Sequence, residues 1–139
     1  MIELEKYFNS ISKWLAVFGG WFVWLMGGWD TLLIALLTLM CVDFITGYIK
    51  GLYKKELSSK TGFNGIVKKV YIIAIVSVAV VCERIGIPAM REVTIMFFAV
   101  NEALSILENA GETGLPIPES LKRALIQIRE KKGDEQTNG

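Results

Sequence analysis

Hydrophobic and polar positions divide the chain into four apolar segments separated by short polar stretches. The most apolar segment covers residues 31–49 and contains a single charged side chain, Asp43. Its first twelve residues contain no charge, no Gly and no Pro, and they are rich in Leu and Ala, which favours a helix. At about 1.5 Å per residue, a helix of this length roughly spans the hydrocarbon core of a bilayer. The segment therefore predicts a transmembrane helix.

The first apolar segment, residues 14–29, is short and rich in Trp and Gly. On a helical wheel its small residues Ala16, Gly20 and Gly27 share one face, which would let a neighbouring helix approach closely. Trp and Phe side chains on the other face suit lipid or the membrane interface. Two interpretations stay open here: the segment spans the membrane, or it lies in the interface without crossing. Asp30, after a Gly-Gly turn, is expected to cap the next helix.

The third segment, residues 70–87, is dense in β-branched residues, so its periodicity fits either a strand or a helix. Open strands cannot satisfy their backbone hydrogen bonds in lipid, and the membrane context therefore predicts a helix. Turn formers and helix caps cluster before it at residues 58–65, and Pro88 is expected near the start of the following helix.

The fourth segment, residues 89–110, carries polar side chains along one side. At 100° per residue, that face holds Thr94, Asn101, Glu102, Ser105, Glu108 and Asn109. A polar face between helices needs partners, either within the bundle or in another copy of the chain. Two alternatives are a face that lines a water-filled pore and an amphipathic helix that lies on the membrane surface.

These patterns predict an all-α integral membrane protein with three to four transmembrane helices and a short amphipathic C-terminal helix. Residues 1–139 form a single membrane domain in which residues 111–139 are a cytoplasmic tail. The C-terminal helix begins around residues 116–119, and the charged tail is expected to be disordered from Lys131. Apolar residues make up 53% of the chain, which agrees with a membrane location.

The distribution of basic residues predicts the topology. The stretch at residues 50–69 contains six lysines and one acid, and it is expected to be cytoplasmic and to contact anionic lipid headgroups. These lysines are Lys50, Lys54, Lys55, Lys60, Lys68 and Lys69. Four spans with both termini in the cytoplasm satisfy the count; with three spans the N-terminus lies outside. In both cases the C-terminus is cytoplasmic.

Two charged positions have both structural and functional interpretations. Asp43 is either an ion or proton ligand or a polar anchor between helices, with Thr46 as its hydrogen-bond partner and Lys50 as a neutralising neighbour. Arg84, near the outer end of its helix, is either interfacial or paired with an acid of a neighbouring helix. Both residues, with the polar face of the fourth segment, are candidates for assembly or pore lining.

Composition argues against most other classes of function. The chain has no histidine, the commonest general base and metal ligand, and its two cysteines lie in apolar runs where reduced thiols are expected. It contains no phosphate-binding Gly loop, no cysteine cluster with metal spacing and no nucleophile–base pair. We therefore predict no enzymatic activity, no catalytic residues, no cofactor, no metal and no nucleic-acid partner.

Four motifs in fixed order resemble those of the toxin-secretion/phage-lysis holin family, found in phages and prophages of Gram-positive bacteria. They are DFITG at residues 43–47, SSKTGFNGI with the following KK at residues 58–69, NEALSILENA at residues 101–110 and GLPIP at residues 114–118. The resemblance extends over residues 30–130.

The resemblance implies a protein that accumulates in the cytoplasmic membrane of a bacterial host and associates with further copies of itself. Such oligomers form lesions that release a phage endolysin in timed host-cell lysis, or export a toxin. The alternative from the residues alone is a small oligomeric ion channel, or a cation- or proton-coupled transporter, in which Asp43 and Glu102 bind the ion.

Overall fold

The computed structural model describes residues 1–137, with side-chain surroundings for all of them except residues 129 and 132–137. Five helices follow one another: α1 (Ile2–Leu25), α2 (Thr31–Lys54), α3 (Ser59–Arg84), α4 (Met90–Glu112) and α5 (Glu119–Thr137). No strand occurs within residues 1–137. The predicted all-α fold is confirmed.

Three of these helices, α2, α3 and α4, are long and apolar enough to cross a membrane. The most apolar windows of α2 and α3 each have a mean hydropathy of 2.2, and that of α4 has 1.2. The lower value of α4 reflects the polar side chains in its second half. A fourth span at residues 14–29 stays a prediction.

Side-chain caps fix the starts of the two most apolar helices. The Asp30 carboxylate accepts a hydrogen bond from the backbone N–H of Leu33 at 2.9 Å, which confirms it as the N-cap of α2. Ser58 does the same for α3 by accepting from the backbone of Thr61 at 3.1 Å. The turn between α2 and α3 is therefore confined to residues 55–58 and is shorter than the predicted stretch of turn formers. Lysine is a good helix former, so both helices continue into the lysine-rich region.

The helices α2, α3 and α4 run up, down and up. Asp30 and Arg91, at the starts of α2 and α4, are in contact, and so are Lys54 and Glu112 at their ends. Parallel α2 and α4 make the most extensive contact in the molecule, and α3 runs antiparallel to both. Because α2 and α3 touch each other little, α4 is the helix that joins the bundle.

The apolar core lies towards the end of the bundle where α2 and α4 begin. Its buried members are Met26, Leu33, Leu36, Met40, Ile72, Val76, Val80 and Ile95. The first helix, α1, contacts this core through Phe22 and Leu25, near the C-terminal end of the helix. Large apolar side chains on the outer faces of α2 and α3, such as Ile45 and Val78, are exposed, as expected of surfaces that face lipid.

The C-terminal helix is longer than predicted. The amphipathic helix α5 packs against α4 and continues to Thr137, so the expectation of disorder from Lys131 is wrong for residues 131–137. Lys, Glu and Gln in this stretch are good helix formers, and their charge alone does not prevent a helix. Residues 138–139 lie outside the described part of the chain.

Candidate functional site

A lysine shared by two carboxylates joins the three span-capable helices. The ammonium group of Lys69 on α3 contacts Asp43 Oδ2 on α2 and Glu102 Oε2 on α4. The exposed fractions of these side chains are 16%, 15% and 10%, respectively, so all three charges are largely withdrawn from solvent. One positive and two negative formal charges therefore meet where α2, α3 and α4 converge.

An amide and a hydroxyl extend this contact between α2 and α4. Asn109 Nδ2 lies 3.3 Å from Asp43 Oδ1 and 3.1 Å from Thr46 Oγ1, to both of which it can donate. The Thr46 hydroxyl in turn donates to the main-chain carbonyl of Asp43 at 3.1 Å. We refer to Asp43, Thr46, Lys69, Glu102 and Asn109 as the three-helix cluster.

Helical spacing explains why these residues meet. Glu102 and Asn109 are seven residues apart on α4, close to two turns, so both face α2. Gly47 on α2 lies beside Asn109, and a Cβ there would be in ordinary van der Waals contact with Asn109 Nδ2 at 3.6 Å. Glu102 and Asn109 on the polar face of α4 are thus buried against other helices.

A cavity of about 670 Å³ opens beside the cluster towards the lysine-rich end of the bundle. Lys69, Glu102, Ser105 and Asn109 are among the residues that line it. Its walls include four glycines, two on α2 and two on α3: Gly47, Gly51, Gly62 and Gly65. The cavity therefore connects the cluster to that end of the molecule.

The predicted polar residues of α4 are not all part of this arrangement. Glu102 and Asn109 are buried in the cluster, while Asn101 and Ser105 are half-buried. Thr94 is buried further towards the start of α4, and Glu108 is exposed. The structure therefore brings Asp43, Thr46, Glu102 and Asn109 together as a site, with Ser105 beside it.

The partner of Asp43 differs from the expected one. Lys69, rather than Lys50, neutralises Asp43, because α3 packs its lysine into the gap between α2 and α4. Lys50 and Lys54 instead pair with Glu112 at the end of α4; the Lys50 Nζ–Glu112 Oε1 distance is 3.6 Å. Sequence reasoning assigned Lys69 to lipid headgroups. The available signal was that this lysine directly precedes the apolar run of α3, inside the same helix.

The remaining lysines of the basic stretch lie on the surface. Lys55, Lys60 and Lys68 are exposed around the turn between α2 and α3 and the first turns of α3. This placement is compatible with headgroup contact, which stays a prediction.

A buried arginine fixes the opposite end of the bundle. Arg91 Nε donates to the carbonyl of Met26 at 2.6 Å, and its terminal nitrogens donate to the carbonyl of Gly28 at 3.2 Å and to the two carboxylate oxygens of Asp30 at 2.7 and 3.1 Å. The backbone N–H of Arg91 donates to Glu83 at 3.2 Å. We call these contacts of Arg91 the arginine clamp. Sequence reasoning counted Arg91 only as a charge in a turn.

The clamp affects the titration of its carboxylate. Hydrogen bonds from Arg91 hold the pKa of Asp30 below its ordinary value, although partial burial opposes the shift. A lowered pKa means that the interaction contributes fully at neutral pH and is lost only as the pH falls through that lowered value.

Among the described residues, Arg84 has no acidic partner, which was one of its two interpretations. Its guanidinium lies 4.1 Å from the ring centroid of Trp24 and donates to the Trp24 carbonyl at 2.5 Å. A cation–π contact of this kind and a carbonyl at a helix end are both favourable partners for arginine. Arg84 therefore binds the C-terminal end of α1 to α3.

The three predicted helix-packing residues have different surroundings. Ala16 and Gly20 lie on the exposed surface of α1, and a Cβ at Gly20 would have no neighbour within 4 Å. Gly27 lies beyond the end of α1, in a turn, with a φ of +78°. It does not belong to a helix face; its missing side chain makes room for Arg91 and Val80.

The structure combines three span-capable helices, apolar outer faces and a charged cluster where the three helices meet. These features define a helical membrane protein. The sequence profile of the bacteriophage holin family matches residues 20–130, which is most of the chain. The chain therefore belongs to the bacteriophage holin family, a family of non-enzymatic membrane proteins.

Relatives in Gram-positive bacteria match over nearly the same extent. The chain is 42% identical to an uncharacterized 14.9 kDa protein in the nagH 3′ region of Clostridium perfringens, over 93% of the chain and 100% of that protein. It is 38% identical to protein Lin0175 of Listeria innocua, over 86% of each chain. It is 33% identical to YqxH of Bacillus subtilis, over 84% of each chain. No solved structure matches the chain.

Proposed function

We propose that the chain is a holin that accumulates in the cytoplasmic membrane of a bacterial host and oligomerises into lesions. These lesions release an endolysin from the cytoplasm in timed lysis, or export a toxin. Membership of the holin family supports this function. The observation that carries the proposal is the contrast between apolar outer faces and a charged, hydrogen-bonded interior at the junction of three helices.

The contrast matters because a holin needs two states with different surfaces. In the resting state, apolar outer faces dissolve in lipid while buried polar groups find partners within the bundle. In a lesion, some of the same polar groups can face water and supply a wettable wall. We propose that Asn101, Glu102 and Ser105 take part in helix contacts at rest, and that they line the lesion together with the exposed Glu108 when it opens.

A second candidate function is a small oligomeric channel, or a transporter coupled to cations or protons. The cavity beside Asp43 and Glu102 favours it, because ionisable groups inside membrane proteins often mark ion pathways. This function requires ion-selective conductance and does not require passage of a folded protein.

Expression in a bacterium that also makes a cytoplasmic endolysin separates the two candidates. Turbidity and membrane potential are followed after induction, with an endolysin-free strain as the control. A holin produces abrupt loss of potential, followed after a fixed delay by lysis that depends on the endolysin. A slow ion-dependent leak with the endolysin still inside the cells would contradict the holin proposal and support the channel or transporter.

A further inference from the structure

The three-helix cluster contains an odd number of charges. Lys69 contributes one positive charge, and Asp43 and Glu102 contribute two negative charges when both are ionised. The cluster then carries a net charge of −1 with every charged side chain at most 16% exposed. An uncompensated charge in such surroundings is unfavourable unless a further cation enters the site.

We propose that the cluster is a binding site for one proton, which Glu102 carries when the bundle is closed. The closed bundle is the arrangement described above, in which α2, α3 and α4 pack around the cluster. The proton comes from water in the adjoining cavity and converts one carboxylate into a carboxylic acid. The cluster is then neutral, with an Asp43 carboxylate, a Lys69 ammonium and a protonated Glu102. A proton is the smallest cation that restores neutrality, and it needs no additional ligands in a site that Lys69 already occupies.

Hydrogen bonding assigns the proton to Glu102 instead of Asp43. The Asp43 carboxylate has two donors, because Lys69 contacts Oδ2 and Asn109 Nδ2 lies 3.3 Å from Oδ1. Within the described part of the chain, Lys69 is the one side chain that donates to Glu102. The carboxylate with more donors is the better stabilised anion, so the other carboxyl takes the proton.

The other charged groups that line the cavity carry a formal net charge of +1, but their side chains are more exposed than those of the cluster. Lys50 and Lys54 from α2 pair with Glu112 on α4 at the outer rim. Glu56, from the turn between α2 and α3, and Lys68 from α3 also line the cavity, and both are exposed. No described residue of α5 lines it. Solvent screens these exposed groups more than it screens the cluster.

The proton links pH to the packing of α3. The closed bundle binds one more proton than a state in which the cluster opens to water, so the closed state is favoured at low pH. It is weakened as the pH rises and the proton leaves. If the proposed holin function is correct, proton release at this site would promote separation of the helices; the proton site itself does not depend on that function.

Carboxyl-carbon NMR of the full chain in lipid nanodiscs tests the site. Asp and Glu are labelled with ¹³C at their carboxyl groups, and spectra are recorded from about pH 5 to pH 9. Exposed carboxylates titrate at about pH 4 and are already ionised in this range. We expect one carboxyl group per chain to titrate here in the wild type, and none in Glu102→Gln. The control Glu108→Gln removes an exposed acid from the same helix, and its spectra should still show one carboxyl group that titrates between about pH 5 and pH 9. We call this titration the step.

Two results would overturn the proposal: the absence of a titrating carboxyl in the wild type, or the same step in Glu102→Gln. If Glu102→Gln does not fold, Asp43→Asn also balances the charges and should likewise remove the step. A midpoint that moves with a tenfold change in sodium concentration would contradict a proton site and indicate a metal cation. Because the readout does not involve lysis, failure of the proton site and failure of the holin function are distinguishable.

Discussion

At the scale of single residues, two cations that are largely withdrawn from solvent hold opposite ends of the bundle by different means. Lys69 is shared by carboxylates from two helices, whereas Arg91 binds one carboxylate and two main-chain carbonyls. Removing a buried ion from water costs several kcal/mol, and good partners are needed to offset this. The loss of one partner is therefore expected to have a larger effect than the loss of an exposed charge.

The first prediction concerns Glu102→Leu. This change removes the carboxyl group that carries the proposed proton and leaves Asp43 and Lys69 as a neutral pair, while it also removes a polar group from the proposed lesion wall. We expect normal membrane insertion but lysis that is delayed or abolished, measured by turbidity in the endolysin co-expression strain. Glu92→Leu, at an exposed position near the start of α4, is the control. Wild-type timing in Glu102→Leu would contradict the role assigned to this residue.

The second prediction tests the arginine clamp through a glycine. A Cβ at Gly27 would lie 2.8 Å from the Arg91 side chain, whereas at Gly28, also at positive φ, it would meet nothing within 4 Å. Gly27→Ala should therefore destabilise the protein by about 1–3 kcal/mol more than Gly28→Ala, the range typical of overpacking. Thermal denaturation in detergent micelles measures the difference. Equal melting temperatures for the two variants would show that the clamp is not tightly packed.

At the scale of helices, α1 and α4 represent opposite cases. Within the bundle, α4 contacts α2, α3 and α5. Buried polar side chains of α4 therefore find their partners within the same chain. The first helix, α1, is exposed along most of its length and meets the core only near its C-terminal end. Its small-residue face is therefore available to another copy of the chain or to lipid.

The third prediction is that Gly20→Leu weakens self-association. Gly20 has no neighbour within 4 Å, so the larger side chain should leave the fold of the chain intact and act only on contacts between copies. Gly19→Leu is the matched control, because Gly19 is equally free of neighbours but points to a different side of α1. Chemical cross-linking in membranes should show fewer oligomers for Gly20→Leu alone. Oligomers of normal size and amount in that variant would contradict the prediction.

The elements were more predictable than the contacts between them. Length and apolarity identified α2, α3 and α4, and Asp30 identified the start of α2, because these signals are local. The pairing of Lys69 with Asp43 was missed, since it joins residues 26 positions apart and depends on how α3 packs. The extent of α5 was also missed, because a high density of charge predicts disorder although the residues of α5 favour a helix.

At the scale of the whole molecule, the charges of the bundle are divided between its two ends. The end formed by the turn between α2 and α3 carries the exposed lysines and the cavity, whereas the other end carries the arginine clamp. The positive-inside rule assigns the lysine-rich end to the cytoplasm. This orientation would place the proton site within reach of cytoplasmic water.

The fourth prediction makes that orientation measurable. Single cysteines replace Leu57, Gly86 or Glu119 in a chain whose Cys41 and Cys82 are changed to Ser, and intact cells are treated with a membrane-impermeant maleimide. We expect labelling at position 86 from outside, and labelling at positions 57 and 119 only after the cells are opened. Labelling of position 57 in intact cells would contradict this orientation and indicate the opposite topology.

The most direct test of the central claim is release from lipid vesicles by the purified full chain. Vesicles contain both a folded protein and an ion-sensitive dye, and the protein-to-lipid ratio is raised in steps. A holin should release the entrapped protein together with ions once the ratio passes a threshold. Loss of ions at every ratio with the entrapped protein fully retained would contradict the account.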